Sequence, residues 1–113
     1  MSHSVPPVFE IKATLFRVLG HPARVRILEL LRDGERSVGA LQAELGLDSG
    51  GTSQHLAALR RIGLVTSRRE GTSVFYSVED ERVFDLLAAG RDLITRRLAT
   101  EQSLLHQLEA ESR

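Results

Sequence analysis

Short polar side chains cluster between residues 49 and 55, and two pairs of arginines follow them along the chain. Hydroxyl, amide and imidazole groups donate and accept hydrogen bonds, so they suit the base edges of a nucleic acid. Arginine neutralises phosphate groups and fixes the position of a protein on a duplex. We therefore expect a nucleic-acid-binding surface formed by Ser49, Thr52, Ser53, Gln54, His55, Arg60, Arg61, Arg68 and Arg69.

Several of these side chains also have a plain structural interpretation. His55 adjoins the apolar Leu56, so it can anchor its helix or contact a phosphate as readily as read a base. Ser53, Gln54 and the arginines at 60 and 61 can equally be solvated surface residues. Arg68 and Arg69 are neighbours in a β-prone segment, so only one of them can face the nucleic acid.

The elements that must hold these side chains are mostly helical. Ser37 is a good N-cap, Gly46 suits a left-handed turn, and Asp48 or Ser49 can cap the next helix. We expect the N–H groups at Gly50 and Gly51 to be open to a phosphate. Apolar periodicity predicts helices over about 8–19, 23–31, 38–45 and 50–62. The last two, joined by a tight turn, form a helix-turn-helix.

After the fourth helix, the helical periodicity of apolar residues gives way to β-prone segments. Residues 64–69 and 73–78 are β-prone, and residues 70–72 between them suit a hairpin tip. Helical periodicity then returns as one long helix, or as two with a break near Gly90 or Thr100. The predicted fold is mainly α with one β-hairpin, a winged helix-turn-helix. We expect one domain over 1–113, with the helix-turn-helix at about 38–62, the wing at about 64–78 and a C-terminal dimerisation helix at about 80–110.

The long C-terminal helix has more apolar surface than so small a domain can cover. Its apolar stripe, with steps of three, four and seven residues, includes Val83, Leu87, Ile94, Leu98, Leu105 and Leu108. We expect a homodimer through the first and last helices. The candidate contacts are Phe9, Phe16, Leu87, Ile94, Leu98 and Leu105.

Composition excludes several classes of protein. The 113 residues contain no cysteine, which removes disulfides, thiolate metal sites and cysteine nucleophiles. Residues 1–78 carry ten basic and seven acidic side chains (+3), whereas residues 79–113 carry five and eight (−3), so a net charge of zero can hide a basic face. No membrane span, signal peptide or catalytic motif is present, so we expect a cytoplasmic protein that is not an enzyme.

Three segments of this chain resemble the ArsR/SmtB family of winged-helix repressors. They are residues 19–28, residues 52–65, and residues 68–71 continued by 75–78. The likeness extends over roughly residues 10 to 98. It implies a homodimer whose paired recognition helices read an imperfect palindrome in double-stranded DNA, and repression that an unknown effector releases.

Many proteins of that family sense metals, but their two usual ligand sets are absent here. The cysteine pair falls on Ser37 and Gly39, and only the first residue of the C-terminal ligand set, Asp80, is retained. A transition metal ion could still be bound by imidazole and carboxylate groups. The candidate ligands are His3, His106 and Glu109.

Three alternatives to an effector-released repressor stay open at this stage. The chain can be a metal-responsive regulator that uses the histidines above, or an activator, because a winged helix does not encode where its operator lies. A protein-interaction winged helix without DNA binding is the alternative of another class. Such a module would be expected to lose the arginines around the hairpin, which this chain keeps.

Overall fold

The computed structural model describes residues 4–112, so the His3 candidate lies outside the described residues. The helices are α1 (Val8–Leu19), α2 (Pro22–Leu30), α3 (Val38–Leu45), α4 (Ser49–Arg61) and α5 (Arg82–Glu111), with a 3₁₀ turn at Leu31–Asp33. The strands are β1 (Arg36–Ser37), β2 (Thr66–Glu70) and β3 (Ser73–Ser77). The predicted winged helix-turn-helix order is confirmed.

The ends of α3 and α4 follow from local chemistry. The Ser37 side chain accepts a hydrogen bond from the backbone N–H of Ala40 at 3.1 Å, which caps α3. Gly46 ends that helix with φ of 65°, a conformation that favours glycine. Asp48 then caps α4, because its Oδ1 accepts from the backbone N–H of Gly51 at 2.7 Å.

The core lies among α2, α3 and α4. Ile27 and Leu28 of α2, Leu41 of α3, and Leu56 and Leu59 of α4 are completely buried. Burying an aliphatic side chain contributes about 1.5–3 kcal/mol, so these contacts fix the angle at which α4 leaves the core. The residues of α4 on the side opposite Leu56 and Leu59 therefore face solvent.

The sheet has one strand more than the predicted single hairpin. Its order is β1-β3-β2, with both pairings antiparallel. Arg36 pairs with Tyr76 and Ser37 with Phe75. The sequence did not reveal β1, because a strand of two residues has no alternation to detect and its partner lies far along the chain.

The described chain divides into two compact units, the first ending at Val83 and the second beginning at Phe84. Helix α5 starts in the first unit, where the backbone N–H of Arg82 donates to Oδ1 of Asp80 at 3.0 Å. The helix is continuous through Gly90 and Thr100, so the alternative of two helices with a break near those residues is wrong. Thr100 is accommodated because its hydroxyl donates to the carbonyl oxygen of Arg96, one turn earlier.

Candidate nucleic-acid interface

Helix α4 presents a polar face at its N-terminal end. Ser49, Ser53 and Gln54 are exposed, while Leu56 and Leu59 hold the opposite face in the core. Short hydroxyl and amide groups on a helix end that projects from the domain can reach base edges in a major groove. The exposure of these three side chains is consistent with base contacts, which stay a prediction.

The expected phosphate site at the start of α4 is wrong in part. The N–H of Gly51 is taken by the carboxylate of Asp48, and the N–H of Thr52 donates to the carbonyl oxygen of Asp48 at 3.1 Å. A carboxylate at the N-terminus already complements the helix dipole, so it repels a second anion there. The sequence left open whether Asp48 or Ser49 caps the helix, and the structure selects Asp48.

Thr52 does not belong to the exposed face, contrary to the sequence prediction. Its side chain is 0% exposed, and its hydroxyl donates to the carbonyl oxygen of Asp48 at 2.9 Å. Thr52 precedes the buried Leu56 by one helical turn, so both residues point into the domain. Its role is to close the first turn of α4.

His55 is a helix anchor in this structure. It is half-buried, and its Nδ1 accepts a hydrogen bond from Nε of Arg24 at 3.1 Å. The ring of His21 lies nearby, with 5.8 Å between the two ring centroids. Burial lowers the pKa of His55 below its usual range, and the neighbouring Arg24 and His21 lower that pKa further. The structure therefore favours the anchoring interpretation over base reading.

Two arginines extend the polar surface toward the C-terminal end of α4. Arg60 and Arg61 occupy its last turn, where positive charge suits the helix dipole, and both are exposed. Neither side chain has a hydrogen bond or ion pair with any residue between 4 and 112. Both charges are therefore open to solvent, and their contact with phosphates stays a prediction.

The two arginines of the wing have different environments. Arg68 forms a forked ion pair with Glu35, in which Nε donates to Oε2 at 2.7 Å and Nη2 donates to Oε1. Its Nη1 donates to Glu70 at 2.7 Å, and its guanidinium lies 4.7 Å from the ring centroid of Phe75. These acids raise the pKa of Arg68, so its guanidinium stays protonated, and their negative charges offset its positive charge. Arg68 therefore has less free positive charge for a phosphate contact than Arg69, and its predicted role in DNA binding stays a prediction.

Arg69 projects from the other face of β2, because successive residues of a strand alternate. It pairs in register with Val74 of β3, whereas Arg68 pairs with Phe75. Arg69 is exposed and has no ion pair within the described part of the chain. The sequence allowed one wing arginine to face DNA, and Arg69 is the one whose charge is available.

The candidate dimer contacts of the first unit lie on α1. Phe9 is 72% exposed and Phe16 is 58% exposed, and no residue of α1 is buried. Large apolar side chains left open to water mark a surface that another protein can cover. In the second unit, Leu87 is half-buried, whereas Ile94, Leu98 and Leu105 are exposed on α5.

The remaining metal candidates do not form a site in the described chain. His106 and Glu109 are both exposed on α5. Within residues 4–112, no group of three or more His, Cys, Asp or Glu side chains could hold a metal ion. Asp80, the ligand position retained from the family pattern, is instead bound by Arg82, whose side-chain hydrogen bond lowers the pKa of Asp80 to about 2.

Two residues that position the interface were missed from the sequence. Arg24 precedes its partner His55 by 31 residues, and Glu35 precedes its partner Arg68 by 33 residues. No local period joins partners so far apart. The sequence around Arg24 carries no signal for its partner, since His21 and Arg26 are also polar there. Among helices of the described residues, none is long and apolar enough to span a bilayer.

Comparison with known proteins gives consistent matches. A family model described as "Bacterial regulatory protein, arsR family" matches residues 21–67. Rv0081 of Mycobacterium tuberculosis, named as an uncharacterized HTH-type transcriptional regulator, is 43% identical over 105 residues, which cover 92% of each chain. Its crystal structure superposes with a TM-score of 0.79 over 86% of this chain and 98% of that one.

Two further relatives extend the comparison. The biofilm growth-associated repressor of Agrobacterium fabrum is 38% identical over 87 residues, which cover 74% of both chains. The winged helix-turn-helix DNA-binding domain Mb0332 of Mycobacterium bovis, described as homodimeric in solution, is 32% identical with a TM-score of 0.73 over 87% of this chain and 94% of that one. The names of these relatives describe regulators, not enzymes.

Proposed function

This chain belongs to the ArsR family of bacterial regulatory proteins, and from this premise we propose that two copies bind an imperfect palindromic operator. The chain is a DNA-binding transcriptional regulator, as its relatives are. In the proposed complex, α4 of each copy enters the major groove and the hairpin β2–β3 contacts the flanking backbone.

One observation carries this proposal, namely the separation of roles along α4. Leu56 and Leu59 bury one face of the helix completely, while Ser53 and Gln54 project from the other face. A recognition helix needs this arrangement, because it must be held rigidly while its polar side chains stay open to base edges. Arg60, Arg61 and Arg69 supply unpaired positive charge for the phosphates on either side.

The homodimer is supported by apolar surface that a single chain leaves uncovered. Phe9 and Phe16 on α1 are largely exposed, as are Ile94, Leu98 and Leu105 on α5. A second copy can cover both helices and bury them. Because a dimer with two-fold symmetry requires a symmetric operator, the half-sites should lie about one DNA turn, ~34 Å, apart.

We propose repression as the direction of regulation, since a repressor is among the relatives that share most of this chain. An effector that weakens DNA binding would release it, in the cytoplasm where the DNA lies. Within residues 4–112, a single chain brings together no three His, Cys, Asp or Glu side chains that could hold a metal ion. Loss of operator binding on adding zinc, nickel or cobalt would support the metal-responsive alternative at His106 and Glu109.

The proposal is tested by selecting binding sequences from a pool of random duplexes with the purified protein. The selected duplex and a shuffled duplex of equal composition are then titrated by fluorescence anisotropy at two salt concentrations. We expect a two-fold-symmetric motif and an affinity about a thousandfold or more above that of the shuffled control. Equal affinity for both duplexes would contradict the proposal and favour a protein-interaction module.

A further inference from the structure

Arg24 connects three helices at the base of the recognition helix. Its side chain arises from α2, its Nε donates to Nδ1 of His55 on α4 at 3.1 Å, and its Nη1 donates to the carbonyl oxygen of Val18 on α1 at 3.2 Å. All three groups are partly buried. Because an arginine with two fixed acceptors has little rotational freedom, it holds α4 against α2 at one angle.

The hydrogen bond between Arg24 and His55 requires a neutral imidazole. Arginine is always protonated and only donates, so Nδ1 of His55 must offer its lone pair and the ring proton must lie on Nε2. A second proton on His55 removes that acceptor. It also places a positive charge beside Arg24 and within reach of His21, whose ring centroid is 5.8 Å away.

The charged groups around His55 all disfavour protonation of its ring. From α2 and the residue before it come Arg24 and His21, and both lower the pKa of His55. From α1 comes the uncharged carbonyl of Val18, which Arg24 already occupies. No carboxylate is among the groups that shift the pKa of His55, so within the described residues protonation gains no compensating partner.

We propose that His55 is a positioning residue for DNA binding, and that protonation of its imidazole releases α4 from Arg24 and weakens operator binding. Gln54 and Ser53 immediately precede it on α4, so a change in the angle of α4 moves them directly. The inference rests on the proposed function, since it concerns the same helix. It adds a response to acidification that needs no bound effector.

The test compares the pH dependence of operator binding in the wild type, His55→Asn and His21→Asn. The Asn side-chain oxygen lies where Nδ1 of histidine lies, so His55→Asn keeps an acceptor for Arg24 but does not titrate. We expect wild-type affinity to fall by up to about tenfold per subunit for each pH unit below the His55 pKa. His55→Asn should bind as the wild type does at pH 8 and lose this dependence, whereas His21→Asn should keep it.

Unchanged pH dependence in folded His55→Asn, checked by circular dichroism, would overturn the inference. A second measurement separates this inference from the proposed function. Titration of the imidazole signals of the free wild-type protein by NMR should give His55 a pKa below 6.5, its ordinary value. A pKa at or above that value overturns the inference even if operator binding is found. Absence of operator binding at pH 8 overturns the proposed function itself.

Discussion

Arg68 of the wing is held by Glu35, which lies just before β1 on the opposite edge of the sheet. The ion pair is forked, with Nε donating to Oε2 at 2.7 Å and Nη2 donating to Oε1. Between β1 and β2 lies β3, so the ion pair spans the sheet. It links β2 of the wing to the residue before β1, while Arg69 lies on the other face of β2.

Replacing each of the two wing arginines should therefore change the salt dependence of DNA binding differently. Arg69→Ala is expected to weaken binding to cognate and random DNA alike. It should also reduce the slope of log affinity against log salt concentration by about 1. Arg68→Ala should leave that slope unchanged, because the charge of Arg68 is already neutralised by Glu35 and Glu70. Anisotropy titrations at several salt concentrations measure both slopes. A lower slope in Arg68→Ala would show that Arg68 also contacts a phosphate of the DNA.

Gln54 is the side chain of α4 that we expect to read a base. Gln54→Ala should cost about 1–3 kcal/mol on the cognate site and relax the preference at one base pair. Competition with duplexes altered at each position in turn measures this preference. Gln107→Ala, which removes an exposed amide from α5, is the matched control. Equal weakening on every duplex would show that Gln54 does not read sequence.

Thr52 should affect stability and not sequence preference. Thr52→Val keeps the shape of the buried side chain but removes the hydroxyl that donates to Asp48. We expect a loss of about 1 kcal/mol in the free energy of unfolding by urea. Ser53→Ala, an exposed neighbour, should leave stability unchanged. If Thr52→Val is as stable as the wild type but shifts the base preference, the burial of Thr52 is not maintained on DNA.

The Glu35 ion pair should make stability depend on pH in the acid range. The hydrogen bond from Arg68 lowers the pKa of Glu35 below 4.5, its ordinary value. The contribution is therefore present above about pH 4.5 and is lost as pH falls through the lowered pKa. Urea unfolding should show Glu35→Gln less stable than the wild type at pH 7, with the difference narrowing at pH 3. Glu44→Gln, an exposed carboxylate of α3, should show no such narrowing.

The apolar stripe of α5 should be required for association. Leu98 is 54% exposed in the single chain, and a carboxylate buried there would be unpaired. Leu98→Glu is expected to shift the protein from dimer to monomer in sedimentation velocity. Ser103→Glu places the same charge on a different face of α5 and should stay dimeric. A full dimer of Leu98→Glu would mean that the interface lies elsewhere.

The helical elements and the capping residues were determined by the sequence itself. Ser37, Gly46 and the apolar spacing of α4 act within one or two turns, so their effect is visible in a short window of residues. The predicted exposure of Ser53 and Gln54 on α4 follows from the same short window of residues. A side chain that faces solvent needs no partner from a distant part of the chain, so a short window of residues is enough to predict its exposure.

Only the tertiary structure decided which of the polar residues are buried or paired within the chain. Thr52 was placed outward by residue type, but the angle of α4 against the core buries it. His55 and Arg68 have partners 31 and 33 residues away, and β1 has its partner strand far along the chain. Such pairings depend on where the core brings the backbone together. Local periodicity and residue type therefore do not predict these long-range pairings.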